Sequence, residues 1–158
     1  HYTREMYEED LDLIHSDYKR FALRVAEGLL FPNSASNVCR PLGSADELRM
    51  RILNRRHDLI AQVLIKGMVD ITPDHMAANY HYWSTMAGAD FREVLPKIDV
   101  PVMILYADPG SAYCPATAVY MKEQIPNATL MPIYGCTHMA ASENPMRWRG
   151  CVAAFAYP

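Results

Sequence analysis

The chain has 158 residues, 51% hydrophobic and 21% charged, with a formal net charge of -3. That is a globular composition; it excludes a disordered tail and gives no electrostatic basis for binding nucleic acid or an anionic membrane surface. No apolar run reaches the ~20 residues of a membrane-spanning helix, and the four cysteines (Cys39, Cys114, Cys136, Cys151) contain no CxxC pair and are too scattered for a disulfide scaffold.

The first half reads as helix. Glu5, Glu8, Glu9 and Asp10 favour a helix over 3–13, since acid near the start complements the dipole. Ser16 is placed to cap a second helix over 17–30, in which Phe21, Val25 and Leu29 share a face; Gly28 lies near its end and Pro32 stops it. Residues 32–43 are loop by composition. Ser44 and Glu47 form a capping box that opens the next helix. Leu48, Ile52, Leu59, Val63 and Val69 continue an apolar stripe to Asp70, with a break at 56–58. Thr72-Pro73 caps a helix to Met86, which carries Tyr80, Tyr82 and Trp83 and ends at Gly88.

From Asp90 the pattern changes. A short helix is expected over 91–95, ended by Pro96. Pro101 introduces the run Val102-Met103-Ile104-Leu105-Tyr106, which predicts a strand buried on both faces and hence parallel. A loop over 108–114, a helix from Pro115 to Gln124, a turn at Pro126-Asn127 and a second strand over 128–133 follow. A loop over 135–143 leads to a final helix over 144–156. This order predicts a right-handed α/β unit.

In open α/β sheets, ligands sit at the carboxyl ends of the strands. The two loops leaving such ends carry Asp108 and, after Gly135, His138. A carboxylate can hold one tautomer of a neighbouring imidazole while the other ring nitrogen acts as general base. Either residue also has an ordinary reading, Asp108 as a turn former. His57-Asp58, beside Arg51, Arg55 and Arg56, reads as a solvated face. His75 and His81 lie on different helix faces, so no metal site is expected. Cys114 and Cys136 read as inert thiols rather than nucleophiles. Tyr80, Tyr82, Trp83 and Met86 either line an acyl or aryl pocket or pack a core, and Met139 can face the same pocket.

Leu95, Ile98, Val100-Pro101, Ala107-Asp108, Pro115, Ile125-Pro126-Asn127-Ala128 and Gly135 through His138 occur in a telling order. This ordered set resembles the C-terminal part of α/β-hydrolase fold enzymes, and residues 17–31 look like a cap helix of esterase- and haloperoxidase-like members. The resemblance implies an α/β fold class: the last two parallel strands with flanking helices, preceded by an α-helical cap. Residues 1–89 would be the cap or lid, and 90–158 the C-terminal part of the core. It implies that His138 is the catalytic general base and Asp108 the triad acid. Many members carry the acid one or two residues further on, where this chain has Pro109 and Gly110. Others carry it after an earlier strand, which would leave Asp108 a turn residue.

The family's nucleophile sits in a G-x-S-x-G elbow. None of Ser16, Ser34, Ser36, Ser44, Ser84, Ser111 and Ser142 lies between glycines after a strand. The expectation is therefore a fragment or subunit of a serine-type hydrolase acting on an ester, lactone or similar carbonyl of a small-molecule substrate. The N-terminal half would be absent, or present as a separate chain or second protomer. The start at His1 without a methionine fits a cut through a longer enzyme. No metal or organic cofactor is implied, and the lack of a visible signal peptide implies a cytoplasmic location. The alternatives are a non-catalytic small-ligand binding or signalling protein on a hydrolase scaffold, and a truncated gene product.

Overall fold

The structure is a computed structural model that describes residues 3–31, 43–86, 88–110 and 113–157. Residues 32–42 of the loop predicted over 32–43, with Pro32, Ser34, Ser36 and Cys39, lie outside these residues, as does Ser111. The chain divides into two compact units, His1–Glu27 with Arg40–Ala89, and Gly28–Cys39 with Asp90–Pro158.

The first unit is helical. In α1 (Arg4–Ser16) the Thr3 hydroxyl accepts the Met6 N–H at 3.3 Å, which satisfies an otherwise orphan donor. Asp17, not Ser16, caps α2 (Tyr18–Leu30): its carboxylate accepts the Arg20 N–H at 3.2 Å. Ser16 closes α1 instead, donating its hydroxyl to the Asp12 carbonyl at 2.7 Å. The anionic acceptor suits a helix N-terminus better than the neutral hydroxyl beside it. The expected capping box opens α3 (Ala45–Arg55): Glu47 N–H donates to the Ser44 hydroxyl, and Ser44 N–H to the Glu47 carboxylate at 2.7 Å.

Asp58 caps α4 (Leu59–Asp70) by accepting the Ala61 N–H at 2.9 Å, and this bond holds its carboxyl below the usual range. The break at 56–58 resets the helical phase, so the α3 stripe does not run on into α4. Leu59 and Val63 are 73% and 61% exposed, and Ala61 and Ile65 take the buried face instead. Thr72 caps α5 (Pro73–Met86) through the His75 N–H. Ile14, Phe21, Met76 and Tyr80 form a core cluster. The Phe21 and Tyr80 rings meet edge to face at 5.0 Å. Buried Asp10 is ion-paired with Arg24, whose guanidinium also lies 5.7 Å from the centre of the Phe21 ring.

The second unit is α/β. The helix expected over 91–95 is a turn followed by a 3-10 helix, Leu95–Lys97. Pro96 lies inside that helix rather than ending it, because a first-turn position has no N–H partner to lose. Then come β1 (Val102–Pro109), α6 (Pro115–Gln124), β2 (Ala128–Cys136), the short α7 (Ala140–Glu143), and α8 (Pro145–Ala156). Asn144 caps α8 by accepting the Arg147 N–H at 3.2 Å. The strands pair in parallel, Val102 opposite Ala128 through Asp108 opposite Tyr134.

Alternate β1 side chains serve the two sheet faces. Val102, Ile104 and Tyr106 pack with Ala118 and Met121 of α6 and with Ile125 just after it. Leu105 and Ala107 pack with Ile133, Cys136 and Ala140. Ile104 is buried, while its apolar neighbours in β1 are half-buried. Pro132 lies opposite Tyr106. A proline has no N–H to give to a second neighbour, which marks β2 as an outer strand.

Candidate active site

Both strands run further than the sequence suggested. Asp108 lies within the last turn of pleat of β1, not in a loop after it, and is half-buried. β2 continues through Gly135 to Cys136. The tips are stitched together, since Gly110 N–H donates to the Cys136 carbonyl at 3.2 Å. Gly110 has φ +68°, and a Cβ there would lie 2.8 Å from the Tyr113 carbonyl oxygen and 3.1 Å from that of Ala107. No side chain fits at this position, so a carboxylate at 110 is incompatible with this backbone. Asp108 is the acid that the β1 tip offers.

Gly135 makes a bulge. Tyr134 pairs with Asp108 and Cys136 with Pro109, leaving Gly135 (φ +73°) as the extra residue. Ile133 and Cys136, three residues apart, are therefore both buried on one side of the sheet, at 0% and 3% exposed. Two residues beyond Cys136, His138 stands exposed in a turn, its ring centre 5.9 Å from that of Tyr113.

A clamp fixes that turn. Glu143 accepts the Thr137 N–H through Oε2 at 2.6 Å and the Thr137 hydroxyl through Oε1 at 2.9 Å. Glu143 ends α7, and α7 is anchored by Ala140 in the Ile133–Cys136 cluster. The turn bearing His138 is thus held at both ends, by β2 on one side and by the carboxylate on the other. Met139 follows, half-buried. Sequence reasoning missed Glu143, Thr137 and Tyr113. The signal available was a threonine and a glutamate flanking the histidine across a span just long enough for one helical turn.

The structure brings Asp108 and His138 to the ends of adjacent strands. Tyr80, Trp83 and Met86 lie in the helical unit. Tyr80 is 7% exposed in the core, and burial pushes its phenol up to about 12. The Trp83 ring lies tilted against that of Tyr80, their centres 5.3 Å apart; Trp83 is 47% exposed and Met86 44% exposed. Cys136 is buried and Cys114 exposed. Among the described residues no three His, Cys, Asp or Glu side chains are grouped to hold a metal ion, and no helix is long and apolar enough to cross a membrane.

Neither a family model nor a curated protein matches this sequence. Solved structures do. A hydrolase from Pseudomonas aeruginosa PA01 matches 98% of this chain with a TM-score of 0.72 at 15% identity. The chain has a partial α/β-hydrolase fold. A bromoperoxidase from Bacillus anthracis matches with a TM-score of 0.66 at 15% identity, and a hydrolase from Oleispira antarctica with 0.61 at 19%. The chain spans about half the length of these structures, 51%, 49% and 48% in turn. It corresponds to the C-terminal part of the α/β-hydrolase fold. The carboxyl ends of the strands, where such sheets present their chemistry, are where this chain carries Asp108 and His138.

Proposed function

We propose that the chain supplies the histidine and the acid of a serine-type α/β hydrolase acting on an ester, lactone or similar carbonyl. The observation that carries this reading is the stitched pair of strand tips, with a carboxylate on one and an imidazole on the other. A serine from outside this sequence would attack the carbonyl while His138 takes its proton. His138 would then pass that proton to the leaving group, and water would cleave the acyl–enzyme by the same relay. The Asp108 carboxylate would accept the other ring N–H, fixing the tautomer and stabilising the imidazolium. Backbone N–H groups outside this chain would hold the oxyanion. No metal or organic cofactor takes part in this scheme.

The remaining half of the sheet would add at β1, because Pro132 makes β2 the outer strand. Residues 1–89 would then act as the cap, with exposed Trp83 and Met86 available to substrate, Tyr80 supporting Trp83 from behind, and Met139 on the core side. The test is turnover of p-nitrophenyl esters of varied chain length by the complete polypeptide or assembly. His138→Ala should lower kcat by about a thousandfold or more with unchanged circular dichroism. Full activity in that variant, or ligand binding without turnover by the complete protein, overturns the reading, the second in favour of a binding protein on this scaffold.

A further inference from the structure

The helical unit contains a cavity that the proposed chemistry does not use. It lies between α2, α3 and α4, has a volume of about 510 Å³ and opens to solvent. That volume is in the range of small-molecule sites. Its construction is repetitive: Lys19 sits one turn before Leu23 on α2, and Arg49 one turn before Leu53 on α3. Each helix therefore presents a cation at the mouth and a leucine at the floor. Ile65 and Val69 of α4 extend the apolar floor, and Lys66 adds a third cation to the rim.

The rim charges are unevenly matched. Lys19 lies 3.5 Å from exposed Asp46, and Lys66 is paired with Asp70. Arg49 has no carboxylate partner among the described residues and is exposed. We propose that this cavity binds an amphipathic carboxylate, a medium-chain fatty acid anion. Its tail lies on Leu23, Leu53 and Ile65, and its head meets Arg49 with Lys19 alongside. A guanidinium matches a carboxylate with two parallel N–H donors, and the apolar floor rewards a methylene chain. A cationic amphiphile would meet like charge at the rim, and an alcohol would leave the Arg49 fork unmatched.

The experiment is calorimetric titration of the full chain with sodium decanoate below its micelle concentration, beside decanol and decyl phosphate. Decanoate should bind saturably at one site, with decanol at least about tenfold weaker. Arg49→Glu, an exposed change, should weaken decanoate about tenfold or more and leave decanol unchanged. Leu53→Trp fills the floor and should abolish binding of both, with methyl resonances of Ile65 and Val69 no longer shifting on titration. Absence of saturable binding, equal binding of decanol, or decanoate binding that survives Arg49→Glu overturns the proposal. Tighter binding of decyl phosphate than of decanoate reassigns the head group and overturns the carboxylate assignment.

Discussion

Glu143 holds Thr137 with both of its carboxylate oxygens, one on the backbone N–H and one on the hydroxyl. The bond pair spans the turn in which His138 sits, so the carboxylate fixes the backbone of the imidazole without touching the ring in either of these bonds. Glu143→Ala leaves two half-buried donors without this acceptor. The expected loss is about 1–3 kcal/mol in urea unfolding, with faster exchange of the Thr137 amide. Glu143→Gln keeps one acceptor oxygen and should lose less. For the proposed hydrolase activity, the Ala variant of the complete protein should lower kcat more than it changes KM, because the change would displace the histidine rather than the substrate site.

Asp108→Asn separates the two readings of the β1 tip. If its carboxylate orients His138, the loss in kcat should approach ~10⁴-fold, as for the same change in a triad protease. A loss below about tenfold assigns the acid to another segment and makes Asp108 a strand-end residue.

Two glycines should respond in opposite directions to alanine. Gly110→Ala places a Cβ 2.8 Å from a backbone carbonyl at φ +68°, and should destabilise by about 1–3 kcal/mol or more. Gly67 lies inside α4, and an alanine Cβ there would meet nothing within 4 Å beyond the helix's own backbone. Gly67→Ala should stabilise by about 0.5–1 kcal/mol through helix propensity and a less flexible unfolded chain. Denaturant midpoints at constant slope report both.

Tyr80 sets an alkaline limit. Its folded phenol is pushed up to about 12 by burial, against 10.0 in the unfolded chain. Between these values the unfolded state binds fewer protons than the folded one, so stability falls as pH rises. Below pH 10 the contribution is fully present. Tyr80→Phe should flatten the decline between about pH 10 and 12 in urea midpoints. Tyr80→Ala should cost about 3 kcal/mol or more at neutral pH, since it empties the contact with Phe21 and Tyr7.

Local rules carried much of the fold into the sequence. The capping box at Ser44, the Thr72-Pro73 start and the Pro115 start depend on neighbours three or four residues away, and they are readable for that reason. The apolar run before Asp108 revealed a parallel strand because its alternate side chains meet α6 on one face and Ile133, Cys136 and Ala140 on the other. What escaped depends on phase or on distance. Ser16 and Asp17 compete for one cap, and only relative acceptor strength decides between them. Leu59 and Val63 fit the stripe in projection but face water once the helix restarts at Asp58. The position of His138 was legible from the order of motifs. The clamp was not, because Glu143 reaches Thr137 only after the chain has made a short helix between them.

The bulge at Gly135 absorbs spacing without changing direction. Along a regular strand, each residue added or removed sends every later side chain to the opposite face. Here the extra glycine stands outside the pairing, so Cys136 shares the face of Ile133 although it lies three residues on. Deleting Gly135 would leave the cysteine two residues after Ile133, on that same face and still opposite Pro109, and would remove only the bulge. A second residue inserted there would have no bulge to take it up and would turn the cysteine outward, an asymmetry between shortening and lengthening that no substitution scan would expose.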